Sequence, residues 1–322
     1  MRILITGFSA RSSNSQRLQK QYLCPEPLFQ KLLEELGHTV EHRAVVIGED
    51  LSGFDRAFLF VNYIKSTASK YAAETAYAFQ EVPSYPVFCD WSGQLISETR
   101  NAFENWERHS RFAEWAWKYT PYHIELVRSM TEAFLNEPLT CVGLVYPWGN
   151  HQLLGDKNFR IHSIDPSCLV EFPPIVQHDP AERSREWIYA VLQKHAWVER
   201  LGLTWPIVRY GLKGQIHLSE PELMQEYARA WGSLTLPCKT AGSGWWRPRF
   251  NHAAHAGSVM VCDPRDSKYM GAAYQISHRD VEKMSTQELA ELADQQSLWF
   301  QKNIASKQKT IDTMNKILEE TL

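Results

Sequence analysis

No stretch of 18 apolar residues occurs in this 322-residue chain, so nothing in it has the length of a membrane-spanning helix. Met1 runs directly into the strand-like Arg2-Ile3-Leu4-Ile5-Thr6, without the basic region, apolar core and cleavage site of a secretory leader. The expectation is a cytoplasmic protein with no membrane partner. Cysteine is scarce: Cys24, Cys89, Cys141, Cys168, Cys238 and Cys262 lie far apart, with no C-x-x-C pair and no histidine at ligand spacing. That pattern argues against a structural zinc site and against a disulfide framework. An excess of one charge is missing too, with 34 Lys and Arg against 37 Asp and Glu and a formal net charge of −3. A polyanion would have to be held by a local patch rather than by the whole molecule. The patterns G-x-x-x-x-G-K-S/T, G-x-G-x-x-G and G-x-S-x-G are all absent. Their absence argues against a P-loop nucleotidase, a standard dinucleotide enzyme and an α/β-hydrolase.

Aromatic residues are plentiful, with 12 Trp, 13 Tyr and 14 Phe, enough for stacking surfaces as well as a core. The order of elements predicts an α/β protein. A strand at the start is followed by a Ser-rich loop from Gly7 to Ser15 and a helix whose Leu28, Leu32 and Leu36 recur at fourfold spacing and which stops at Gly37. Strands are predicted over Val40 to Ile47, Arg56 to Val61 and Tyr85 to Cys89, with a helix marked by Ala72, Ala73, Ala76 and Phe79 between the last two. Their continuous apolar runs point to a mostly parallel sheet covered on both faces. Glu98 to Leu135 reads as polar, aromatic and helical, Leu139 to Tyr146 as a strand, and Pro147 to Ser167 as loop-rich.

Pro173-Pro174 marks a linker, since consecutive prolines resist both helix and central strand. Beyond it the alternation repeats: a helix from Arg185 to His195, a strand Trp205 to Tyr210, a helix Pro221 to Ala230, a strand Ser233 to Leu236, a helix Pro248 to His255 and a strand Ser258 to Cys262. Ser285, with Glu288 three residues on, is a capping box opening a long polar helix that packs back across both domains. The expected architecture is two Rossmann-like domains facing a central cleft. An N-terminal domain spans 1–167 and a C-terminal domain 168–300, and the helix end 301–322 returns to the first domain.

Ligands of open α/β sheets bind beyond the carboxyl ends of the strands, which selects four places. Gly7 follows the first strand, either to let a ligand approach the backbone or to make a tight turn. Asp90 follows an apolar strand and precedes Trp91, as a general base or as the cap of a turn. Gly242-Ser243-Gly244-Trp245-Trp246-Arg247-Pro248-Arg249 leads into a helix that also carries His252. Arg247 and Arg249 at the positive end of a helix are electrostatically misplaced unless an anion such as a diphosphate sits there. The alternative is two exposed arginines beside a packed Trp pair. Arg183 and Arg185 stand at the predicted start of another helix, as a phosphate contact or as a solvated turn balanced by Glu182 and Glu186. Tyr210-Gly211 ends a strand, as a base-stacking pair or as a core tyrosine and a turn. Arg11, Arg17 and Lys20, with Arg100, Arg108, Arg111 and Lys118 among tryptophans, line a basic cleft mouth or form a solvated face.

Two Rossmann-like halves, a glycine-containing first loop, an arginine-led helix near the C-terminal sheet edge and a long closing helix resemble the two-domain GT-B glycosyltransferases. Within that class the chain is similar, colinearly over nearly its whole length, to the DNA β-glucosyltransferases of T-even bacteriophages, which move glucose from UDP-glucose onto hydroxymethylcytosine in duplex DNA. Asp55 to Val61 with Asn62 resemble that family's third strand, and Pro86 to Asp90 resemble the strand ending in its catalytic aspartate. Tyr210-Gly211 resembles an aromatic-glycine pair beside the uracil, and Arg249 a diphosphate-binding arginine.

The resemblance implies a transferase with Asp90 as general base, Arg249 as clamp on the leaving diphosphate and Arg183 or Arg185 as a second phosphate contact. Gly7, Ser243, Gly244, Arg247 and His252 would complete the donor site. Trp91, Arg11, Arg17, Arg100, Arg108 and Arg111 would meet DNA, with Trp91 stacking where the base is flipped out. The implied partners are a UDP-sugar and double-stranded DNA containing a hydroxymethylated pyrimidine, with the enzyme acting as a monomer in the host cytoplasm and no tightly bound cofactor. No Asp-x-Asp motif is present and divalent-metal dependence stays open. One departure stands out: the family has a glutamate on the ribose hydroxyls where this chain has His252, which leaves sugar and nucleotide open. A glycosyltransferase acting on a small molecule or glycan and a non-catalytic nucleotide or DNA-binding protein are the alternatives.

Overall fold

The computed structural model describes residues 1–7, 25–60, 69–88, 121–136, 139–144, 159–164, 166–169, 174–176, 178–190, 201–210, 218–235, 248–262 and 270–320. In chain order the elements are β1 (Arg2–Gly7), α1 (Pro25–Glu35), β2 (Thr39–His42), β3 (Arg56–Phe60), α2 (Ser69–Glu81), β4 (Ser84–Phe88), α3 (Pro121–Asn136), β5 (Leu139–Leu144) and β6 (Phe159–Ile164). A short 3-10 turn at Pro166–Leu169 follows. Then come β7 (Ser184–Ala190), β8 (Ile207–Tyr210), α4 (Glu220–Arg229), β9 (Ala230–Thr235), α5 (Pro248–His255), β10 (Val259–Cys262), α6 (His278–Val281), α7 (Thr286–Asn303) and α8 (Lys307–Glu319). The chain divides into two compact units, Met1–Leu169 with Lys307–Leu322, and Val170–Ser306.

The first unit is a six-stranded sheet in the order β2-β1-β3-β4-β5-β6, with every neighbouring pair parallel. Alternate residues of each strand enter different cores, as the strand period of two requires. Leu4, Ala57 and Leu59 pack with Ala72, Ala76, Val127, Met130 and Phe134 from α2 and α3. Ile3, Ile5, Phe58, Phe60, Tyr85 and Val87 pack on the opposite face with Phe29, Leu32 and Leu33 of α1 and Met314 and Ile317 of α8. With both faces covered, the central strands carry unbroken apolar runs. Gly37 ends α1 in the left-handed region, with φ of 83°. There the His38 N–H donates to the Leu33 carbonyl and the Gly37 N–H to the Glu34 carbonyl, a Schellman cap. The Tyr85 hydroxyl donates to the Ile317 carbonyl at 2.7 Å, and the Glu320 carboxylate accepts from Thr140 at 3.1 Å, fastening the last helix to this sheet.

The second unit is a four-stranded parallel sheet in the order β10-β9-β7-β8. Read from β8 the order is β8-β7-β9-β10, the same winding as β2-β1-β3-β4 in the first unit. Trp187, Tyr189, Leu234, Val259 and Val261 pack against Val281 of α6 and Leu289, Leu292 and Ala293 of α7. A Cβ at Gly232 would run into the Trp187 ring, so β9 is glycine where it passes the tryptophan. Gln296, fully buried on α7, receives the Met260 N–H at 2.7 Å and donates to the Met260 carbonyl at 2.9 Å. Its amide occupies the outer side of β10, the edge of this sheet among the described residues.

Three expectations are corrected. The segment predicted as a helix from Arg185 to His195 begins with strand β7. Trp187, Ile188 and Tyr189 are all buried because β7 lies inside a parallel sheet, and a strand buried on both faces shows no alternation to separate it from a helix. The loop-rich stretch Pro147 to Ser167 contains the strand β6, whose first four residues Phe-Arg-Ile-His alternate before Ser163 breaks the period. The single long C-terminal helix is two helices, α7 and α8, separated at Ile304–Ser306 where the chain passes from the second unit to the first. The capping box opening α7 is present: the Ser285 N–H meets the Glu288 carboxylate at 2.7 Å and the Glu288 N–H meets the Ser285 hydroxyl at 3.3 Å.

Candidate functional site

In each unit the chain reverses its winding direction at one point, between β1 and β3 in the first and between β7 and β9 in the second. The carboxyl ends of the strands at such a switch point form a natural crevice for ligands.

In the first unit Gly7 closes β1 at this point, with φ of 125° and Phe60 opposite. A Cβ at Gly7 would lie 2.5 Å from the Phe60 carbonyl oxygen. Glycine is therefore demanded by the approach of β3 itself. β4 ends at Phe88, two residues before Asp90. Asp90, Trp91, Arg11, Arg17, Arg100, Arg108 and Arg111 belong to the segments that follow these strands and lie outside the described residues.

In the second unit α4 follows β8 and α5 follows β9, so both helices begin at the carboxyl edge of the sheet. Ser219 caps α4 through a capping box with Glu222. Arg249 is the second residue of α5, directly after Pro248, a position that suits proline because a first-turn N–H has no helical partner. Ser243, Gly244, Arg247 and Gly211 lie outside the described residues. His252 is buried, and its Nε2 meets a Glu220 carboxylate oxygen at 2.6 Å. Burial and the neighbouring His252 both hold the pKa of His255 below the usual histidine range.

Tyr210 stands at the carboxyl end of β8, and its hydroxyl donates to Glu226 at 2.6 Å. Burial and the Glu226 carboxylate push its pKa up to about 12. Glu226 also receives the Arg229 guanidinium at 3.0 Å, and Arg229 reaches Glu186 at 2.6 Å. The phenol thus belongs to a charged lattice joining α4 to the sheet.

Arg183 and Arg185 are not at a helix N-terminus. They flank the start of β7, at the amino edge of the sheet. The Arg183 guanidinium donates to the carbonyls of Gly257 at 2.6 Å, Ala230 at 2.7 Å and Tyr227 at 3.2 Å, and lies 4.3 Å from the centre of the Trp231 ring. It therefore sits where α4 and α5 end, on the side a helix dipole favours for a cation. Burial pulls its pKa down to about 10, which leaves it charged at neutral pH. Arg185 donates to the Met284 carbonyl at 2.9 Å and lies 5.5 Å over Trp205. Nearby, Glu282 accepts from the Trp187 indole, the Trp205 N–H and both the N–H and hydroxyl of Thr204 at 2.8–3.0 Å. Burial raises its pKa, but these bonds outweigh that and hold it below the usual carboxylate range.

Glu220, Glu282 and Gln296 escape sequence reasoning. Glu220 reads there as an ordinary acidic residue in a helix first turn, and its partner is 32 residues away. Among the described residues no group of three or more His, Cys, Asp or Glu is arranged to hold a metal ion, and no helix is long and apolar enough to cross a membrane.

No protein-family model matches the sequence, and no curated protein matches it. Solved structures do match. T4 phage β-glucosyltransferase, in a study of its substrate binding and proposed catalytic mechanism, aligns with a TM-score of 0.59 at 13% identity, covering 99% of this chain and 100% of its own. The DNA modifying enzyme β-glucosyltransferase, solved with and without its substrate uridine diphosphoglucose, aligns with a TM-score of 0.58 at 12% identity over the same shares of the two chains. T4 phage β-glucosyltransferase in complex with UDP and Mn2+ gives 0.58 at 11% identity, again over 99% and 100%. From end to end, the chain shares the GT-B fold of the phage β-glucosyltransferase.

Proposed function

We propose that this protein is a glycosyltransferase that moves a sugar from a UDP-sugar to the hydroxymethyl group of a modified pyrimidine, 5-hydroxymethylcytosine, in duplex DNA. The observation that carries the reading is the end-to-end fold match to a DNA modifying enzyme that uses uridine diphosphoglucose. Two placements support it. Asp90 comes two residues after the end of β4, and Arg249 opens α5, which begins at the carboxyl edge of the second sheet.

In this reaction Asp90 accepts the proton of the acceptor hydroxymethyl group as its oxygen attacks the anomeric carbon. The bond from that carbon to the diphosphate oxygen breaks, and UDP departs with the electron pair. Charge builds on the diphosphate while the sugar passes through an oxocarbenium-like state, so cations are needed on the donor side and a base on the acceptor side. Arg247 and Arg249 are the donor-side cations of this proposal, with the Ser243-Gly244 loop before them and Tyr210-Gly211 toward the base of the nucleotide. Arg183 and Arg185 have no part in it, because they serve the opposite edge of the sheet. The first unit is the acceptor domain: between Gly7 and Pro25, straight after the switch-point strand, the chain carries Arg11, Arg17 and Lys20 and no acidic residue. A base within a duplex is out of reach, so the target is flipped out, with Trp91 stacking in the gap.

The test is mass spectrometry of nucleosides after incubation of duplexes containing hydroxymethylcytosine, hydroxymethyluracil or unmodified cytosine with a panel of UDP-sugars. The expected result is one sugar added to hydroxymethylcytosine, falling as salt is raised. Sugar transfer to small acceptors with every duplex untouched would replace DNA by a small molecule or glycan. Nucleotide or DNA binding without any transfer or donor hydrolysis would make the protein a non-catalytic binder.

A further inference from the structure

We infer that Glu220 and His252 are a positioning pair for the donor site, a brace that sets the first turn of α5 against α4 so that Arg249 meets the nucleotide diphosphate. The inference rests on the donor reading of the second unit. Glu220 is the first residue of α4 and His252 the fifth of α5, and both helices start at the carboxyl edge of the sheet. The two side chains meet at 2.6 Å, and only 6% of His252 and 12% of Glu220 is exposed.

Burying an imidazole and a carboxylate costs more than packing two apolar side chains of the same size. What the polar pair adds is direction: a short bond holds two helices at one angle and one height. The buried neighbours of His252 on α5, Ala253 and Ala254, are small side chains that carry no polar group. At its far end α5 is held by the Ser297 hydroxyl, which donates to the Ala254 carbonyl at 2.9 Å. His252 supplies the tie to α4, and it lies one turn from Arg249. A displacement of about 1 Å at a clamping group costs up to about 100-fold in turnover, so the setting of this turn matters well beyond its stability. His252, which the sequence places in the donor site, acts in this inference through Arg249 and not by a contact of its own with substrate, since its Nε2 is turned to Glu220.

The experiment compares Glu220→Ala, Glu220→Gln and His252→Asn with the parent protein. UDP alone is titrated by calorimetry, KM and kcat for the UDP-sugar are measured, and melting and amide exchange over 248–255 are followed without nucleotide. The expected result is faster exchange in α5 and UDP affinity weakened on the order of tenfold in Glu220→Ala. KM rises more than kcat falls, and Glu220→Gln, which keeps an acceptor oxygen toward the imidazole, recovers most of the affinity. A Glu220→Ala protein that melts lower yet binds UDP like the parent overturns the inference, because the pair is then only a structural contact. Unchanged exchange and unchanged affinity overturn it equally. Should Glu220→Ala fail to fold, the two conservative variants carry the same comparison. A parent protein that binds no uridine nucleotide overturns the donor reading as well, and that arm involves no variant.

Discussion

The two edges of the second sheet treat charge in opposite ways. At the amino edge, Arg183 is answered by three carbonyls and an indole ring, Arg185 by a carbonyl and another indole, and Glu282 by donors from Trp187, Thr204 and Trp205. Cations there face the ends of helices, where the dipole favours them. At the carboxyl edge the helices begin instead, and the chain places Arg249 in the first turn of α5, where the dipole opposes a cation. An arginine beside the helix ends is thus a structural strut, whereas one at a helix beginning has the dipole against it unless an anion is bound there, the role proposed above for Arg249. The side of the sheet, more than the residue type, separates the two.

This contrast is broken or sharpened by three substitutions. The largest effect is expected at Asp90, two residues beyond the end of β4 in the sequence. Asp90→Ala should lower kcat on the order of 10²- to 10⁴-fold while UDP titrates as before, and unaltered turnover removes Asp90 from the mechanism. Next comes the amino edge. Arg183→Ala leaves three carbonyls without their charged donor and should cost about 3 kcal/mol of stability, read as a lower denaturation midpoint. UDP affinity of the folded fraction should not move, and a selective loss of UDP binding would return Arg183 to the donor site. The smallest effect belongs to Tyr210→Phe, which removes one hydrogen bond worth about 1 kcal/mol. Because the folded-state pKa of Tyr210 rises from 10.0 to about 12, the bond to Glu226 contributes fully below pH 10 and is lost as pH climbs through about 12. Alkaline unfolding should lose that step in the variant.

Much of the first unit was legible. The apolar runs of β1, β3 and β4, the glycine that stops α1 and the alanine stripe of α2 carry their meaning locally, and so do the capping box of α7 and the Pro-led start of α5. β7 was not legible as a strand, because a central parallel strand buries Trp187, Ile188 and Tyr189 alike and erases the period that would betray it. That one error moved Arg183 and Arg185 from the amino edge of a sheet to the beginning of a helix and so reversed their electrostatic meaning. The break between α7 and α8 also escaped notice, since it lies where the chain changes units and no proline or glycine marks it. The pairing of His252 with Glu220 was out of reach for a different reason: it is a contact between neighbouring helices, made only once the sheet has set them side by side.

Gln296 has a consequence for the outward side of β10. An edge strand offers its outward N–H and C=O groups to any passing strand, the usual route to sheet-to-sheet aggregation. At Met260, midway along β10, both groups are already engaged by a single side-chain amide from α7. An incoming strand would have to evict a buried glutamine before it could pair. At that residue the work of an edge-blocking charge or proline is done by one side chain of a helix.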